Sequence, residues 1–157
     1  MKIIAGNLLV LMVQDKFDIV VHGCNCFHTM GAGIARELSE VYPQVLEADR
    51  QTQCGDYTKL GSITVANTIQ SYVVNGYTQY GMASSAGECV VVYDAVGSVF
   101  ERVKKLAKAI RPHSPETVRI GYPKIGAGLA GGDWKIISKI IDQVLDGMDH
   151  TLVVYKP

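Results

Sequence analysis

The sequence predicts an α/β fold in which a mixed central sheet lies between two layers of helices. Short β-branched runs alternate along the chain with segments whose apolar residues recur at helical spacing. In addition, two glycine-rich segments, at 23–33 and 126–132, each follow a predicted strand and precede a predicted helix. That order is typical of βαβ units. The 157 residues fit one domain over 1–157, because no repeat, low-complexity tract or linker divides them.

In the first half of the chain, β-branched runs predict strands at 2–5, 18–22, 61–67 and 71–75. The last two strands should be neighbours in the sheet. A helix is expected over 33–42, with Ile34 and Leu38 on its apolar face and Glu37 on its polar face. Pro43 should end that helix and open a second one that runs to 53 and is closed by Gly55. Residues 7–17 are expected to form a short connection.

The second half of the chain predicts two further helices and two further strands. The Gly-, Ser- and Tyr-rich segment 76–88 is expected to be a surface loop, a common place for a lid over a pocket. An apolar stripe from Val96 to Ile110 predicts a helix that Pro112 stops. Strands are expected at 118–125 and 151–155, with a helix between them that begins at Trp134.

The charge balance excludes a global electrostatic attraction to nucleic acid or to an acidic membrane. Fifteen basic and fifteen acidic residues give a formal net charge of zero, so any anion must be held locally. Four cysteines occur without a signal peptide, and no apolar stretch approaches the roughly 20 residues of a membrane span. We therefore expect a soluble cytoplasmic protein with reduced thiols.

The two glycine-rich segments predict an anion site. Glycines let backbone amides approach a ligand closely, and a helix that begins there points its unpaired N–H groups at the same place. Two such turns could grip two sides of a diphosphate. The second turn also spells G-x-G-x-x-G, but a dinucleotide-binding Rossmann unit needs an acidic residue on the next strand, about 20 positions on. The strand at 151–155 has none, which disfavours a nicotinamide site.

The segments GCNCFHTMGAGIA, at 23–35, and YPKIGAGLAGGDW, at 122–134, resemble the two ligand loops of a macro domain. The resemblance covers essentially the whole chain, from IIAGN near the start to the final VVY strand. It implies a macro-type three-layer α/β/α domain that binds an ADP-ribosyl group without a cofactor or metal. The H-x-C-N-C wording at 22–26 is most similar to the branch of ADP-ribose 1″-phosphate phosphatases.

The resemblance also implies roles for individual residues. Asn25 matches the asparagine at the distal ribose, and Asn7 matches an aspartate that contacts adenine, so its amide oxygen should accept from the adenine amino group. The positions that match ligand-binding residues of the family are Gly6, Asn7, Asn25, His28, Met30, Gly31, Ala32, Gly33, Ile34, Lys124, Ile125, Gly126, Ala127, Gly128 and Leu129. His28 is open to a second interpretation as a solvent-facing residue, and so is Lys124.

For the reaction, the resemblance implies hydrolysis of the terminal phosphate of ADP-ribose 1″-phosphate, with His22 as acid/base and Asn25 positioning the ribose. An imidazole titrates near neutral pH, which suits that role. Two alternatives stay open: His22 as a buried structural residue, and Asn25 as the cap of a turn. At the level of function, the alternatives are a reader that binds ADP-ribose or ADP-ribosylated proteins without turnover, and a hydrolase that removes ADP-ribose from proteins. The catalytic residues of that hydrolase would fall at Gly76, Ala130 and Ala35, which carry no acid or base.

Cys24 and Cys26 present a further choice between a metal or nucleophile site and simple packing. Two thiols on an extended strand alternate between its faces, and a zinc site usually needs four ligands. We therefore expect two small buried thiols beneath the first glycine turn. Tyr77, Tyr80 and Met82 are open to two interpretations, as ligand-stacking residues of a lid or as anchors of the loop.

Overall fold

The computed structural model describes residues 1–157 and contains a six-stranded sheet. The strands are β1 (Lys2–Gly6), β2 (Ile19–Cys24), β3 (Ile63–Asn67), β4 (Tyr72–Tyr77), β5 (Ile120–Tyr122) and β6 (His150–Tyr155). Their order across the sheet is β1-β6-β5-β2-β4-β3. All neighbouring pairs are parallel except β3 and β4, which are antiparallel. The prediction of a mixed sheet, with the strands at 61–67 and 71–75 as neighbours, is confirmed.

Five helices cover the two faces of this sheet. They are α1 (Leu8–Val13), α2 (Gly33–Val41), α3 (Pro43–Arg50), α4 (Tyr93–Ile110) and α5 (Trp134–Val144). Alternate residues of β2 enter different cores: Val20 packs with residues of α1, α2 and α3, whereas Val21 packs with residues of α4 and α5. The three-layer prediction is therefore confirmed. None of the helices is long and apolar enough to cross a membrane.

The segment after β1 differs from the prediction, because residues 8–13 form α1 rather than a connection. The side-chain Oδ1 of Asn7 accepts hydrogen bonds from the backbone N–H groups of Leu9 and Val10, which caps the helix. Leu8 and Met12, one helical turn apart, are both buried in the core that α1 shares with α2 and α3. A cap and one buried pair are enough to define this six-residue helix.

The predicted boundaries of two strands, β4 and β5, were also wrong. Gly76 and Tyr77 belong to β4 and not to the surface loop, because Gly76 pairs with Gly23 of β2 and lies directly beneath Val99 of α4. A Cβ atom at Gly76 would lie 2.6 Å from that valine side chain, so only glycine fits. The strand expected at 118–125 is shortened to the three residues of β5, since Pro123 has no N–H to continue the ladder.

The chain leaves the neighbouring strands β2 and β5 in opposite directions. After β2 it crosses to the layer of α2, whose Leu38 packs in one core, and after β5 it crosses to α5, whose Ile137 packs in the other. In open α/β sheets, this reversal leaves a crevice at the carboxyl ends of the two strands, where ligands bind. Both glycine-rich segments begin at this crevice.

Candidate functional site

The first turn, between β2 and α2, presents a row of unpaired amides at the crevice. The backbone N–H groups of Gly31, Ala32, Gly33 and Ile34 have no acceptor in the chain. Ala32, the N-cap of α2, has no side chain that could satisfy them. Free N–H groups and the positive end of the helix dipole therefore converge at the start of α2, where they favour a negatively charged group.

The second turn, between β5 and α5, presents a matching set of donors. The backbone N–H groups of Gly126, Gly128 and Leu129 have no acceptor in the chain, and the turn is closed by a hydrogen bond of 2.7 Å from Gly132 N–H to the Gly126 carbonyl. Gly126 has a φ of +72°, and a Cβ there would lie 2.7 Å from the Val91 side chain. Only glycine fits this tight turn at position 126, and the turn leaves the three backbone N–H groups without an acceptor.

A pocket of about 270 Å³ extends the crevice toward the ends of β1 and β6. It is lined by Gly6, Asn7, Leu8, Gly33, Ile34, Glu37, Pro123, Val153 and Tyr155. The structure thus brings Gly6 and Asn7 together with Gly33 and Ile34, all of which the sequence predicted as ligand-binding. A larger open depression of about 410 Å³ lies on the surface of α4 and α5, and no predicted site residue lines it.

Five of the residues that line this pocket were not predicted from the sequence: Leu8, Glu37, Pro123, Val153 and Tyr155. Leu8 lies in the undetected helix α1. Glu37 is exposed on the polar face of α2, as predicted, and it also lines the pocket, because it lies three and four residues after Ile34 and Gly33. That spacing was the available signal for Glu37. Val153 and Tyr155 reach the pocket only because β6 pairs with β1.

Asn25 is 7% exposed and holds the first turn in shape. Its Oδ1 accepts from the Phe27 N–H at 2.8 Å, and its Nδ2 donates to both the carbonyl and the hydroxyl of Thr29. The alternative that Asn25 caps a turn is therefore found in the structure. Its contact with a ribose stays a prediction.

His22 lies beneath the crevice and not in it. Its side chain is fully buried in β2, and its Nε2 lies 2.6 Å from the Oδ1 of Asn75 on β4. Burial lowers the pKa of His22 to about 4, although the hydrogen bond to Asn75 and the charge of Asp49 act in the opposite direction. The ring is neutral at pH 7 and has no exposed surface, so it has no route to a ligand. We do not assign it the acid/base role that the resemblance implied.

The remaining predicted residues divide between the surface and the core. Lys124, Gly128 and Leu129 are exposed at the second turn, where Gly126 and Ala127 are half-buried and Ile125 is buried. In the first turn, Met30 is 8% exposed and packs in the core with Leu38, so its side chain does not face the crevice. The His28 ring contacts the Thr52 hydroxyl at 3.1 Å, and its contact with a ligand stays a prediction.

Three positions that the resemblance matched to catalytic residues of an ADP-ribose-removing hydrolase carry no acid or base in this chain. Gly76 lies buried within β4, Ala130 is 6% exposed, and Ala35 is half-buried on α2. Cys24 and Cys26 are both buried free thiols, as expected. Burial raises the pKa of both thiols above the usual range for cysteine, which disfavours the thiolate form needed by a nucleophile.

A buried polar network supports the first turn from below. The Lys59 ammonium lies 3.6 Å from the Asp49 carboxylate and donates to the Cys26 carbonyl at 3.4 Å. The Tyr77 hydroxyl donates to the same carboxylate at 2.7 Å, and the Lys59 ammonium lies 4.4 Å from the centre of the Tyr77 ring. Tyr77 is therefore an anchor and not a residue of a lid. This network links α3, β4 and the residue that follows Asn25.

The chain matches no protein-family model. It is 36% identical to the uncharacterised 17.5 kDa protein of the tk-vs intergenic region of Enterobacteria phage T4, over 99% of this chain and 97% of the relative. Among solved structures, it is similar to a Bacteroides thetaiotaomicron protein of unknown function, with a TM-score of 0.80 and 26% identity over 98% of each chain.

Several of the similar structures are macrodomains. The macrodomain of Thermus aquaticus DarG superposes with a TM-score of 0.68 and 21% identity, over 99% of this chain and 97% of that one. Thermosipho africanus DarTG, solved in complex with ADP-ribose, superposes with a TM-score of 0.67 and 15% identity, over 100% of this chain and 42% of that one. The chain therefore has the macrodomain fold and belongs to the family of the 17.5 kDa phage T4 protein.

Proposed function

We propose that the chain binds ADP-ribose in the crevice between β2 and β5. The observation that carries this proposal is the pair of turns with free amides that follow the neighbouring strands β2 and β5 at a topological switch point. A diphosphate is the group that two such sets of donors suit. The Thermosipho africanus relative, which has the same fold, was solved with ADP-ribose bound, and this supports the choice of ligand.

In the proposed complex, the diphosphate lies between the amides of 31–34 and those of 126–129. The 270 Å³ pocket beside Asn7 takes the adenine, because it is mostly apolar and opens from the same crevice. The distal ribose lies on the opposite side, toward Asn25 at the end of β2. Lys124, which is exposed beside the second turn, adds positive charge near the diphosphate.

Hydrolysis of the terminal phosphate of ADP-ribose 1″-phosphate is a second candidate function. It is favoured by the H-x-C-N-C sequence at 22–26 and by free amides that can stabilise phosphoryl oxygens. His22 does not supply the acid/base group in this proposal, because it is fully buried and bonded to Asn75. Binding without turnover is therefore the function that the geometry supports best.

The test is calorimetric titration with ADP-ribose of the wild type and of two variants. One variant adds a carboxylate at the site, and the other adds a carboxylate away from it. A side chain at Gly128 would meet nothing within 4 Å, so Gly128→Glu should fold normally while placing a negative charge beside the diphosphate. We expect at least a tenfold loss of affinity, about 1.4 kcal/mol. Gln143→Glu adds the same charge on the exposed surface of α5 and should bind like the wild type.

Equal affinity for ADP-ribose in the wild type and in Gly128→Glu would contradict the proposed position of the diphosphate. No binding by the wild type would contradict the ligand itself. Phosphate release from ADP-ribose 1″-phosphate, measured on the same samples, separates the two candidate functions. Release by the wild type but not by Gly128→Glu would support the phosphatase, whereas binding without release supports a reader.

A further inference from the structure

The orientation of the Asn7 amide is fixed by the helix that it caps. Its Oδ1 accepts from Leu9 N–H at 2.9 Å and from Val10 N–H at 3.3 Å, which occupies both lone pairs of that oxygen. Rotating the amide by 180° would place its NH₂ group against two backbone donors, so the rotated form is excluded. The group that Asn7 has left to offer the pocket is its Nδ2, a donor with no partner in the chain.

This orientation overturns one expectation from the sequence. The amide oxygen of Asn7 was expected to accept a hydrogen bond from the adenine amino group, but that oxygen is already saturated by α1. A pocket for adenine still needs an acceptor, because an exocyclic amino group buried without one loses its hydrogen bond to water. Another residue that lines the pocket must therefore supply it.

Glu37 is the carboxylate among the residues that line this pocket. It is exposed at the rim of the pocket, on the same side of α2 as Gly33 and Ile34, and it makes no hydrogen bond or ion pair within the chain. The nearby base Arg36 is paired instead with Glu40 at 2.8 Å on the exposed surface. The walls around Glu37 are mainly apolar, from Leu8, Ile34, Pro123 and Val153. A free acceptor and a free donor thus share one apolar pocket.

We propose that Glu37 determines base specificity by accepting a hydrogen bond from the exocyclic amino group of adenine, while Asn7 Nδ2 donates to a ring nitrogen. This assignment rests on the proposed function. A carboxylate is an acceptor only, so it rejects a base that turns a carbonyl oxygen toward it. Hypoxanthine has such an oxygen in place of the amino group and carries a proton on N1, and the rest of the nucleotide is unchanged. Comparing the two bases in the wild type and in a Glu37 variant keeps the diphosphate and both riboses constant, so a change in their ratio reports on the contact between Glu37 and the base.

The experiment measures the dissociation constants of ADP-ribose and of inosine diphosphate ribose for the same preparation of protein. Their ratio is the useful quantity, because both ligands carry the same diphosphate and experience the same repulsion from the Glu37 charge. We expect the wild type to prefer adenine by about tenfold or more, as for a hydrogen bond to a charged group. Glu37→Ala should lower this ratio severalfold, because the exocyclic amino group then loses the acceptor that distinguishes it from a carbonyl oxygen. Glu37→Gln keeps an acceptor oxygen and should give an intermediate ratio.

Glu47→Ala is the matched control, since Glu47 is an exposed glutamate on α3 and does not line the pocket. It should keep the wild-type ratio. A ratio that is the same in the wild type and in Glu37→Ala, with ADP-ribose still bound, would overturn the role of Glu37 and leave the proposed function standing. Failure of the wild type to bind either nucleotide would overturn both.

Discussion

Replacing Lys59 with methionine tests whether the buried network beneath the first turn stabilises the fold. The Lys59 and Asp49 residues are 6% and 1% exposed, so the substitution leaves a buried carboxylate without its counter-charge. Breaking a buried pair in this way costs about 3–5 kcal/mol. Asp49 keeps a 2.7 Å hydrogen bond from Tyr77, and the ammonium was 3.6 Å away, so we expect the lower end, about 3 kcal/mol.

For a chain of this length, a loss of about 3 kcal/mol corresponds to a fall in Tm of roughly 6–12 °C. Urea denaturation of the wild type, Lys59→Met, Asp49→Asn and the double variant gives the interaction free energy as a double-mutant cycle. The double variant should be more stable than Lys59→Met alone, because the amide oxygen of asparagine can still accept from Tyr77 and no charge is left unpaired. A decrease in the free energy of unfolding of less than about 1 kcal/mol in Lys59→Met would refute this reasoning. A double variant that is less stable than both single variants would also refute it.

Three further predictions concern individual residues. Because the pKa of His22 falls from 6.5 to about 4 on folding, the unfolded chain takes up a proton that the folded chain does not. The free energy of unfolding should therefore decrease as the pH is lowered from 6.5 to 4, by about 3 kcal/mol, and His22→Gln should flatten this slope in denaturant titrations at several pH values. Gly131→Ala should lower the Tm, since its φ is +70° and a Cβ would clash with the Glu88 carbonyl, whereas Gly128→Ala, with open space around it, should leave the Tm unchanged. Asn7→Ala should cost about 1 kcal/mol in thermal or urea denaturation by removing the cap of α1, whereas Asn7→Asp, which keeps an acceptor, should cost much less.

The layered fold was predictable because its signals are local. The β-branched run Ile19–Val21 predicted strand β2, and the helical spacing of Ile34 and Leu38 predicted helix α2. Both predictions are confirmed. The glycine turns were predictable for the same reason. Helix α1 was missed because six consecutive apolar residues have no periodicity, and only the cap at Asn7 marks the start of a helix.

The contents of the site were harder to predict, because they depend on contacts between distant segments. The burial of His22 follows from the packing of β2 against β4, which brings Asn75 to its ring, and nothing near residue 22 indicates this. The pairing of Lys59 with Asp49 likewise joins two segments whose charges would suit an exposed surface. Glu37 is exposed, as predicted, but its place beside the pocket was not predicted, because a polar residue at a pocket rim and one that faces only solvent look the same in a sequence.

The pairing of β1 with β6 has a consequence for the order of folding. Lys2 lies opposite Thr151, so this edge of the sheet joins residues almost 150 positions apart and carries a large loop-closure entropy. Contacts of such long range form slowly, and during synthesis they must wait until residue 155 has left the ribosome. The 270 Å³ pocket needs both Asn7 and Tyr155, whereas the glycine turns lie within the span from β2 to α5. A nascent chain therefore completes both glycine turns before it completes the pocket between β1, β6 and α2.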